Sequence, residues 1–445
     1  MKKTPKTSYG PGNPHPLSMM RTELVWDGKY DEFGERREID LAGRSFPLQR
    51  IETIDEPRSH AEASQKPFDF DSTHWDDFRN RLIWGDNRLV MASLMSEFKG
   101  AIDLIYIDPP FDVGADFTLS APIGDSRETI EKEQSIMEMV AYRDIWGRGM
   151  DSYIGILSEQ LTMMRDLLSE QGSIYVHCDW RVNSAVRLCL DEIFGAGNFK
   201  REIIWNLKTA SGYKSQVNGY IRGHDTILYY VKSNEFTFNK QYKEHKPEYI
   251  ERMFKKDDDG RLYRERGKGR KRQYLDESKG VALTDVWSDI KPIQVIANSS
   301  QKTGYPTQKP ETLYERVIKA SSNERDLVAD FFCGSGTMAA VAEKLGRRWI
   351  ASDLGRFAIH TTQKRLISTQ RELHQEKEKY RSFDLFNLGR YERQWWQQES
   401  IKGADDEHRS IVLSFFRAEE LTPPPPSLTP LIPCYTDVKK MPSFM

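Results

Sequence analysis

The sequence predicts an α/β protein with a doubly wound, largely parallel sheet covered by helices on both faces. Three observations predict it. Short apolar runs rich in Ile, Val, Tyr and Trp suit buried parallel strands, amphipathic stretches alternate with them, and the alternation resumes after an interruption near residue 233. The runs are RLIWGD, AIDLIYID, SIYVHCD, REIIWN and DTILYYV before the interruption, and DLVADFF and RRWIASD after it.

Helices are predicted between these strands. In residues 156–170 Leu157, Leu161, Met164 and Leu168 form one stripe at helical spacing, and the pattern ends before Gly172. Further helices are predicted in TQKPETLYERVIKAS and GSGTMAAVAEKLG, on either side of the strand DLVADFF. Strand–helix–strand order of this kind is typical of doubly wound sheets.

Composition excludes several classes of protein. The 445 residues are 38% hydrophobic and 30% charged, which suits a large α/β domain with insertions or two to three domains. No apolar run approaches the roughly 18 residues of a membrane span, and the first residues lack the apolar stretch of a secretory leader. The four cysteines form no CxxC pair, so we expect neither a disulfide scaffold nor a metal site. We expect the protein to be in a reducing cytoplasm. A net charge of −2 means that any nucleic-acid surface must be local.

The pattern divides the chain into five segments. They are a polar N-terminal arm (1–75) with one strand near 48–54, a half with the Asp-Pro-Pro-Phe loop (76–235), a charged insertion (236–303), a half with a glycine turn (304–381) and a C-terminal extension (382–445). The extension ends in LTPPPPSLTPLIP, which cannot pack a core, and we expect it to be disordered.

A glycine-rich turn follows the strand DLVADFF. The sequence DFFCGSGT runs from Asp330 to Thr337 and opens a helix, and the next strand ends in Asp353. Glycines let the backbone approach a ligand, and an acid at the end of the next strand commonly binds a ribose diol. The same residues could form only a tight turn with a solvated Asp353. Because neither GxGxxG nor GxxxxGK[ST] is present, an adenosine cofactor without a pyrophosphate is favoured over nicotinamide or ATP.

A second loop, Asp108-Pro109-Pro110-Phe111, directly follows the strand AIDLIYI. Two prolines stiffen the loop and remove two backbone donors, so its carbonyls are left to accept hydrogen bonds. A carboxylate and a rigid carbonyl can hold an exocyclic amine while an aromatic ring stacks on the heterocycle. The alternative is a proline turn that ends a strand, with Asp108 as a cap.

Together these motifs resemble those of S-adenosylmethionine-dependent amino-DNA methyltransferases, in the adenine-N6 branch with DPPF or DPPY. The acceptor loop precedes the glycine turn, as in the permuted (β-class) order, and the chain is similar to modification subunits of type III restriction systems and to stand-alone site-specific enzymes. The resemblance extends from about residue 80 to about residue 396. It rests on NRLIWGDN, YIDPPFDVGADF, GSIYVHCDWR, YPTQKPETLYERVIKAS, ADFFCGSGT and LGRRWIASDLGRFAIHTT, among others.

The resemblance implies a Rossmann-like methyltransferase fold in permuted order with an inserted target-recognition region. It implies that Asp108 and the Pro109 carbonyl accept hydrogen bonds from the amine of a flipped-out adenine, while Pro110 stiffens the loop and Phe111 stacks on the base. Methyl transfer would be direct and would need no catalytic cysteine. The residues implied for S-adenosylmethionine are Asp86, Thr307, Lys309, Asp330, Phe332, Gly334, Ser335, Gly336, Thr337 and Asp353. Asp86 could instead be a turn cap and Lys309 a surface lysine.

The insertion contains the basic stretch 261–272, with seven Lys or Arg and one acid. It lies where this class usually carries its target-recognition region, and its charge suits contacts to double-stranded DNA phosphates. The candidates are Arg264, Arg266, Lys268, Arg270, Lys271 and Arg272. A solvated charged hairpin is the alternative.

Other functions stay open from sequence. Cytosine-N4 methylation uses the same chemistry, although that branch usually has Ser where this chain has Asp108, and an RNA substrate leaves no clear mark. The chain could also be a specificity subunit that acts with a restriction helicase-nuclease partner. A homodimer is implied by the type III resemblance, but the resemblance fades after residue 396 and type III subunits are typically longer.

Overall fold

Within the described part of the chain, ten strands join in one sheet, seven of them from the two predicted halves and one each from the arm, the insertion and the C-terminal extension. The computed structural model describes residues 23–37, 47–110, 119–122, 129–132, 149–207, 218–267, 271–296, 301–305 and 307–388, with only the backbone at 119–122 and 129–132. The strands are β1 Gln49–Ile54, β2 Asn80–Trp84, β3 Ile102–Ile107, β4 Leu119–Pro122, β5 Thr129–Lys132, β6 Leu168–Cys178, β7 Phe199–Asn206, β8 His224–Val231, β9 Tyr242–Lys243, β10 Lys255–Lys256, β11 Leu262–Arg266, β12 Lys271–Tyr274, β13 Val281–Ala282, β14 Val286–Trp287, β15 Leu327–Asp330, β16 Arg348–Asp353 and β17 Phe383–Asn387. The helices are α1 Glu56–Ala63, α2 Phe70–Thr73, α3 Asn87–Phe98, α4 Met150–Leu167, α5 Asn183–Leu190, α6 Pro247–Met253, α7 Glu311–Ser321, α8 Thr337–Lys344 and α9 Arg356–Gln375.

The large sheet has the order β1-β17-β2-β16-β15-β3-β6-β8-β7-β14. Strands β17 through β6 are parallel, which confirms the doubly wound α/β prediction. Strand β8, the run DTILYYV, is antiparallel to both of its neighbours, so the expectation of a parallel strand was wrong there. A strand buried on both faces is a continuous apolar run in either direction, so the sequence did not indicate its orientation.

Two hydrophobic clusters cover the two faces of this sheet. Strand β3 contributes Ile105 and Ile107 to one cluster and Leu104 and Tyr106 to the other, as the pleat requires. Helices α3, α4 and α5 pack on the first face, and α7, α8 and α9 pack on the second. The result is a three-layer architecture in which the loops at the strand ends remain free to build a site.

Two segments that were predicted to lie outside the catalytic halves contain secondary structure. Residues 49–73, which we assigned to the polar arm, carry β1, α1 and α2, and β17 lies in the segment assigned to the C-terminal extension. Because β17 pairs with both β1 and β2, we propose that the catalytic unit includes these elements. The Pro-rich ending lies outside the described residues.

The charged insertion forms small sheets of its own. Strands β10, β11 and β12 form a three-stranded antiparallel sheet, and β9 pairs with β13. Strand β14 then returns to the large sheet beside β7. Among the described helices, none has both the length and the apolar character needed to cross a bilayer.

Candidate active site

The two predicted site loops lie next to each other because β3 and β15 are neighbouring parallel strands. Val328 pairs with Leu104 and Ala329 with Ile105, although the two strands are far apart in sequence. From β15 the chain continues to β16 on one side, and from β3 it continues to β6 on the other. The carboxyl ends of β3 and β15 therefore flank a topological switch point, where open α/β sheets bind ligands.

Four aspartates lie at the carboxyl ends of four adjacent parallel strands. In the order of the strands across the sheet, Asp86 follows β2, Asp353 ends β16, Asp330 ends β15 and Asp108 follows β3. At roughly 4.8 Å between strands, the row spans on the order of 14 Å. We call these four residues the aspartate row. An elongated ligand that carries positive charge and hydroxyl groups would match it.

The glycine turn lies close to neighbouring side chains at two positions. Gly334 and Gly336 have φ of +51° and +68°, in the left-handed region. A Cβ on Gly336 would lie 2.5 Å from Cγ2 of Thr362, and one on Gly334 would lie 3.2 Å from the ring of Tyr305. Gly336 is also the N-terminal cap of α8. The turn thus needs glycine for its conformation and for its packing.

Asp353 ties the glycine turn to the following loop. Its Oδ2 accepts a hydrogen bond from the Gly334 amide (2.9 Å), and its Oδ1 accepts one from the Gly355 amide (2.8 Å). A carboxylate has about four acceptor positions, so these two hydrogen bonds do not exclude a contact with a ligand's hydroxyls. On the neighbouring strand, Asp86 accepts from the Arg88 amide (2.8 Å) as the cap of α3 and pairs with the Arg88 side chain (3.2 Å).

Asp330 is a buried acid. It is 2% exposed, and its Oδ1 accepts a hydrogen bond from the Phe332 amide (3.0 Å). Burial raises the pKa of Asp330 to about 8, and the carboxylates of Asp108 and Asp353 contribute to the rise, while Lys309 opposes it. The side chain is therefore mostly protonated at neutral pH and would ionise most readily beside a bound cation.

The acceptor loop is braced by a lysine from the other half of the chain. The Lys309 ammonium forms an ion pair with Asp108 Oδ2, and both side chains are largely buried, at 14% and 16% exposure. The lysine is held in place because Gln308 is buried and its Oε1 accepts from the Thr303 amide (2.9 Å). Thr307 is exposed.

Behind Asp108 lies a buried hydrogen-bonded network. The Tyr106 hydroxyl lies 2.9 Å from His177 Nδ1, and His177 Nε2 lies 3.2 Å from Asp225 Oδ2. Burial would raise the pKa of Asp225, but the hydrogen bond to His177 and the Arg222 guanidinium hold it well below its usual range. Arg222 pairs with Asp225.

The basic stretch forms the hairpin β11–β12, and its cations have different environments. Arg264 is 8% exposed, and its guanidinium donates to the Tyr249 hydroxyl (2.7 Å) and to Gln273 Oε1 (2.8 Å). We therefore remove Arg264 from the candidate phosphate contacts. Among the remaining candidates, Arg266, Lys271 and Arg272 are exposed, and we call these three the hairpin cations. Arg261 is exposed too, but it is paired with Asp276 and Glu277.

A sequence model of the N6/N4 DNA methylase family matches residues 102–364, which include the acceptor loop, the insertion and the glycine turn. The chain belongs to this family.

Several curated relatives support the assignment as a DNA methylase. The type II methyltransferase M.EcaI of Enterobacter cloacae is 28% identical over 334 residues, covering 64% of this chain and 69% of the relative. The type III restriction-modification enzyme StyLTI Mod subunit of Salmonella typhimurium is 24% identical over 321 residues, covering 58% of this chain and 49% of that subunit. Among solved structures, the M1.HpyAVI–SAM complex aligns with a TM-score of 0.40 and 19% identity, covering 64% of this chain and 98% of that one.

The structure of this DNA methylase brings most of the sequence-predicted residues to one edge. Asp108, Pro109 and Pro110 follow β3, the glycine-turn residues Phe332, Ser335 and Thr337 follow β15, and Asp86 and Asp353 lie beside them. Phe111, Lys268 and Arg270 lie outside the described residues. Cys178 and Cys333 are buried, and burial raises the pKa of both thiols, as expected for packing residues.

The network of Tyr106, His177, Asp225 and Arg222 was not predicted from the sequence. His177 is contained in the run SIYVHCD, but its position beside Asp108 depends on the pairing of Ile107 with Val176 between β3 and β6. The one available signal was a polar residue inside an otherwise apolar strand.

Proposed function

We propose that the protein is a site-specific adenine-N6 DNA methyltransferase that uses S-adenosylmethionine. The observation that carries the proposal is the aspartate row, which ends at Asp108 with the rigid Pro109 carbonyl beside it. Membership in the N6/N4 DNA methylase family supports methylation of an exocyclic amine on DNA. The choice of adenine rests on an aspartate at position 108, where the resemblance to the cytosine-N4 branch would favour serine.

The residues present fit the cofactor. Asp353 would accept from the ribose hydroxyls, and Asp86 would lie toward the adenine end of the row. Gly334 presents no side chain toward the cofactor, and a Cβ there would already press on the Tyr305 ring at 3.2 Å. Asp330 would face the cationic methionine portion. S-adenosylmethionine, when bound, supplies an electrophilic methyl group.

Lys309 and Thr307 would close over the methionine end. An ammonium group has three donors, so Lys309 can keep its ion pair with Asp108 and still donate to the cofactor's carboxylate. In that arrangement Lys309 links the two half-sites, because it contacts the acceptor residue and the cofactor together.

The acceptor loop would hold the target amine. Lys309 binds Oδ2 of Asp108, and Oδ1 would accept one amine hydrogen. The Pro109 carbonyl would accept the other, and Phe111 would stack on the base. Since the amine of adenine is inaccessible inside the duplex, the base must be flipped out. The contribution of the loop is positioning and electrostatics.

Double-stranded DNA is the proposed substrate, and the hairpin cations are proposed to contact its phosphates with Lys268 and Arg270. The hairpin belongs to the insertion between the two halves of the site, where we propose that the target-recognition region lies. We further propose a role in restriction-modification in the cytoplasm. A homodimer and a helicase-nuclease partner are proposals that rest on the similarity to a type III Mod subunit.

Nucleoside analysis tests this function. The purified protein is incubated with S-adenosylmethionine and unmethylated genomic DNA, which is then digested and analysed by mass spectrometry. We expect N6-methyladenine with the wild type and none with Asp108→Ala or with Asp108→Asn, which keeps the size of the side chain. Formation of N4-methylcytosine would contradict the base assignment. If the protein binds the cofactor but forms no methylated nucleoside, the activity proposed for the chain alone is contradicted.

A further inference from the structure

Arg365 is a buried arginine in α9 that the function proposed above does not use. The residue is 9% exposed. Its Nη1 donates a hydrogen bond to the Thr337 hydroxyl (2.9 Å), and its Nη2 donates one to the Gln301 carbonyl (3.0 Å). Thr337 begins α8 directly after the glycine turn, and Gln301 belongs to residues 301–305 and 307–309, which we call the lysine segment because they end at Lys309. One side chain therefore joins the glycine turn to the lysine segment.

Gln308 continues this connection along the lysine segment. It is 3% exposed, its Nε2 donates to the Gln301 carbonyl (2.6 Å), and its Oε1 accepts from the Thr303 hydroxyl (2.8 Å). A carbonyl oxygen has two lone pairs, so the Gln301 carbonyl can accept from Gln308 and Arg365 together. Because Gln308 directly precedes Lys309, these hydrogen bonds connect the chain beside Lys309 to Arg365.

The ion pair of Arg365 is a long one. The Glu311 carboxylate lies 4.0 Å from its Nη1, and Glu311 also pairs with Lys344 (3.2 Å). Burial lowers the pKa of Arg365, but a guanidinium keeps its proton in proteins. Methionine has a similar length, and hydrophobic residues often replace buried ion pairs without loss of stability. The two hydrogen bonds therefore distinguish arginine from an apolar residue at this position.

We propose that Arg365 is a positioning residue that holds Lys309 in place to contact the cofactor. This inference rests on the proposed function, in which Lys309 donates to the carboxylate of S-adenosylmethionine and pairs with Asp108. Arg365 binds the glycine turn and the lysine segment through two nitrogens of one rigid plane, so it fixes them relative to each other before the cofactor binds. Without Arg365 the cofactor would have to order the lysine segment as it binds, and that cost lowers the affinity.

Cofactor binding without DNA is the first test. Arg365→Met removes both donors and keeps the length of the side chain. In calorimetric titration with S-adenosylmethionine we expect it to bind on the order of tenfold more weakly than the wild type. Arg371→Met is the matched control, because Arg371 lies in the same helix but is exposed and pairs with Glu56 (2.7 Å), and we expect it to bind as the wild type does. Equal affinity of Arg365→Met and the wild type would overturn the proposal.

A double-mutant cycle with Lys309→Met separates positioning from a general loss of structure. If Arg365 acts through Lys309, Arg365→Met lowers the cofactor affinity of the wild type and has little further effect in Lys309→Met. The same fold-loss in both backgrounds would overturn the proposal, because the arginine would then support the site without acting on Lys309. A Lys309→Met variant that binds as tightly as the wild type would contradict the role of Lys309 in the proposed function, and this positioning role with it.

Gln308→Leu breaks the same connection at its other end and leaves the contact of Arg365 with Thr337 in place. We expect it to lose cofactor affinity as Arg365→Met does, and again only while Lys309 is present. Thermal unfolding shows which variants are folded during the titration, and Gln308→Leu makes the test if Arg365→Met is not. A Gln308→Leu variant with wild-type affinity would overturn the proposal. Wild-type protein that binds the cofactor but forms no N6-methyladenine would contradict the proposed activity and leave these binding results as they stand.

Discussion

Replacing Asp330 by asparagine should make the protein more stable, and the gain should grow with pH. The folded pKa of Asp330 is about 8, against an ordinary value of 3.8. Above pH 3.8 the unfolded chain releases this proton while the folded protein keeps it, so stability falls as pH rises toward 8. At about 1.4 kcal/mol per pH unit, the cost is about 2 kcal/mol at pH 5 and about 4 kcal/mol at pH 7. Asparagine is neutral at every pH and can still accept the hydrogen bond from the Phe332 amide.

Denaturant unfolding of wild type and Asp330→Asn at pH 5 and pH 7 measures this effect. We expect the stability difference between the two proteins to increase by about 3 kcal/mol between these pH values. Other titrating groups are common to both proteins and cancel in the comparison. Asp326→Asn is a matched control, because Asp326 is half-buried and its pKa is raised less. An Asp330→Asn variant that is equally stable or less stable at pH 7 would refute the reasoning.

Two further variants test the turn and the DNA surface. Gly336→Ala should destabilise the protein by more than the roughly 1–2 kcal/mol of a left-handed alanine, because its Cβ would also meet Thr362. Gly260 has a similar φ but open space around it, so Gly260→Ala measures the backbone cost alone. Equal losses of stability in the two variants would contradict the packing argument. Neutralising the three hairpin cations should lower DNA affinity and reduce the slope of log affinity against log salt by roughly 3, measured by fluorescence anisotropy, with cofactor affinity unchanged. An unchanged salt slope would place the phosphate contacts elsewhere.

The sequence predicted those parts of the fold and site that depend on neighbours along the chain. The acceptor loop and the glycine turn each follow a strand directly, so local pattern was enough to find Asp108 and Gly334. The order of the motifs along the chain, with the resemblance, then indicated that both loops belong to one site. The apolar runs located β2, β3, β6, β7 and β8 for the same reason.

What the sequence could not predict depends on pairing between distant segments. His177 meets Asp108 only through the register of β3 with β6, and Asp225 reaches His177 only because β8 pairs with β6. The basic stretch shows the same limit. Counting charges treated it as one exposed surface, whereas Arg264 is buried with its guanidinium on the Tyr249 hydroxyl and Gln273.

We propose that the aspartate row binds the cofactor at one end and the target amine at the other. Calorimetric titration of S-adenosylmethionine into Asp353→Asn and Asp108→Asn measures this division of the site. We expect Asp353→Asn to lose on the order of tenfold or more in affinity, the value of a charge-assisted hydrogen bond. Asp108→Asn should bind the cofactor nearly as well as the wild type and yet fail to methylate DNA. Full affinity in Asp353→Asn, or loss of cofactor binding in Asp108→Asn alone, would contradict the division of the site.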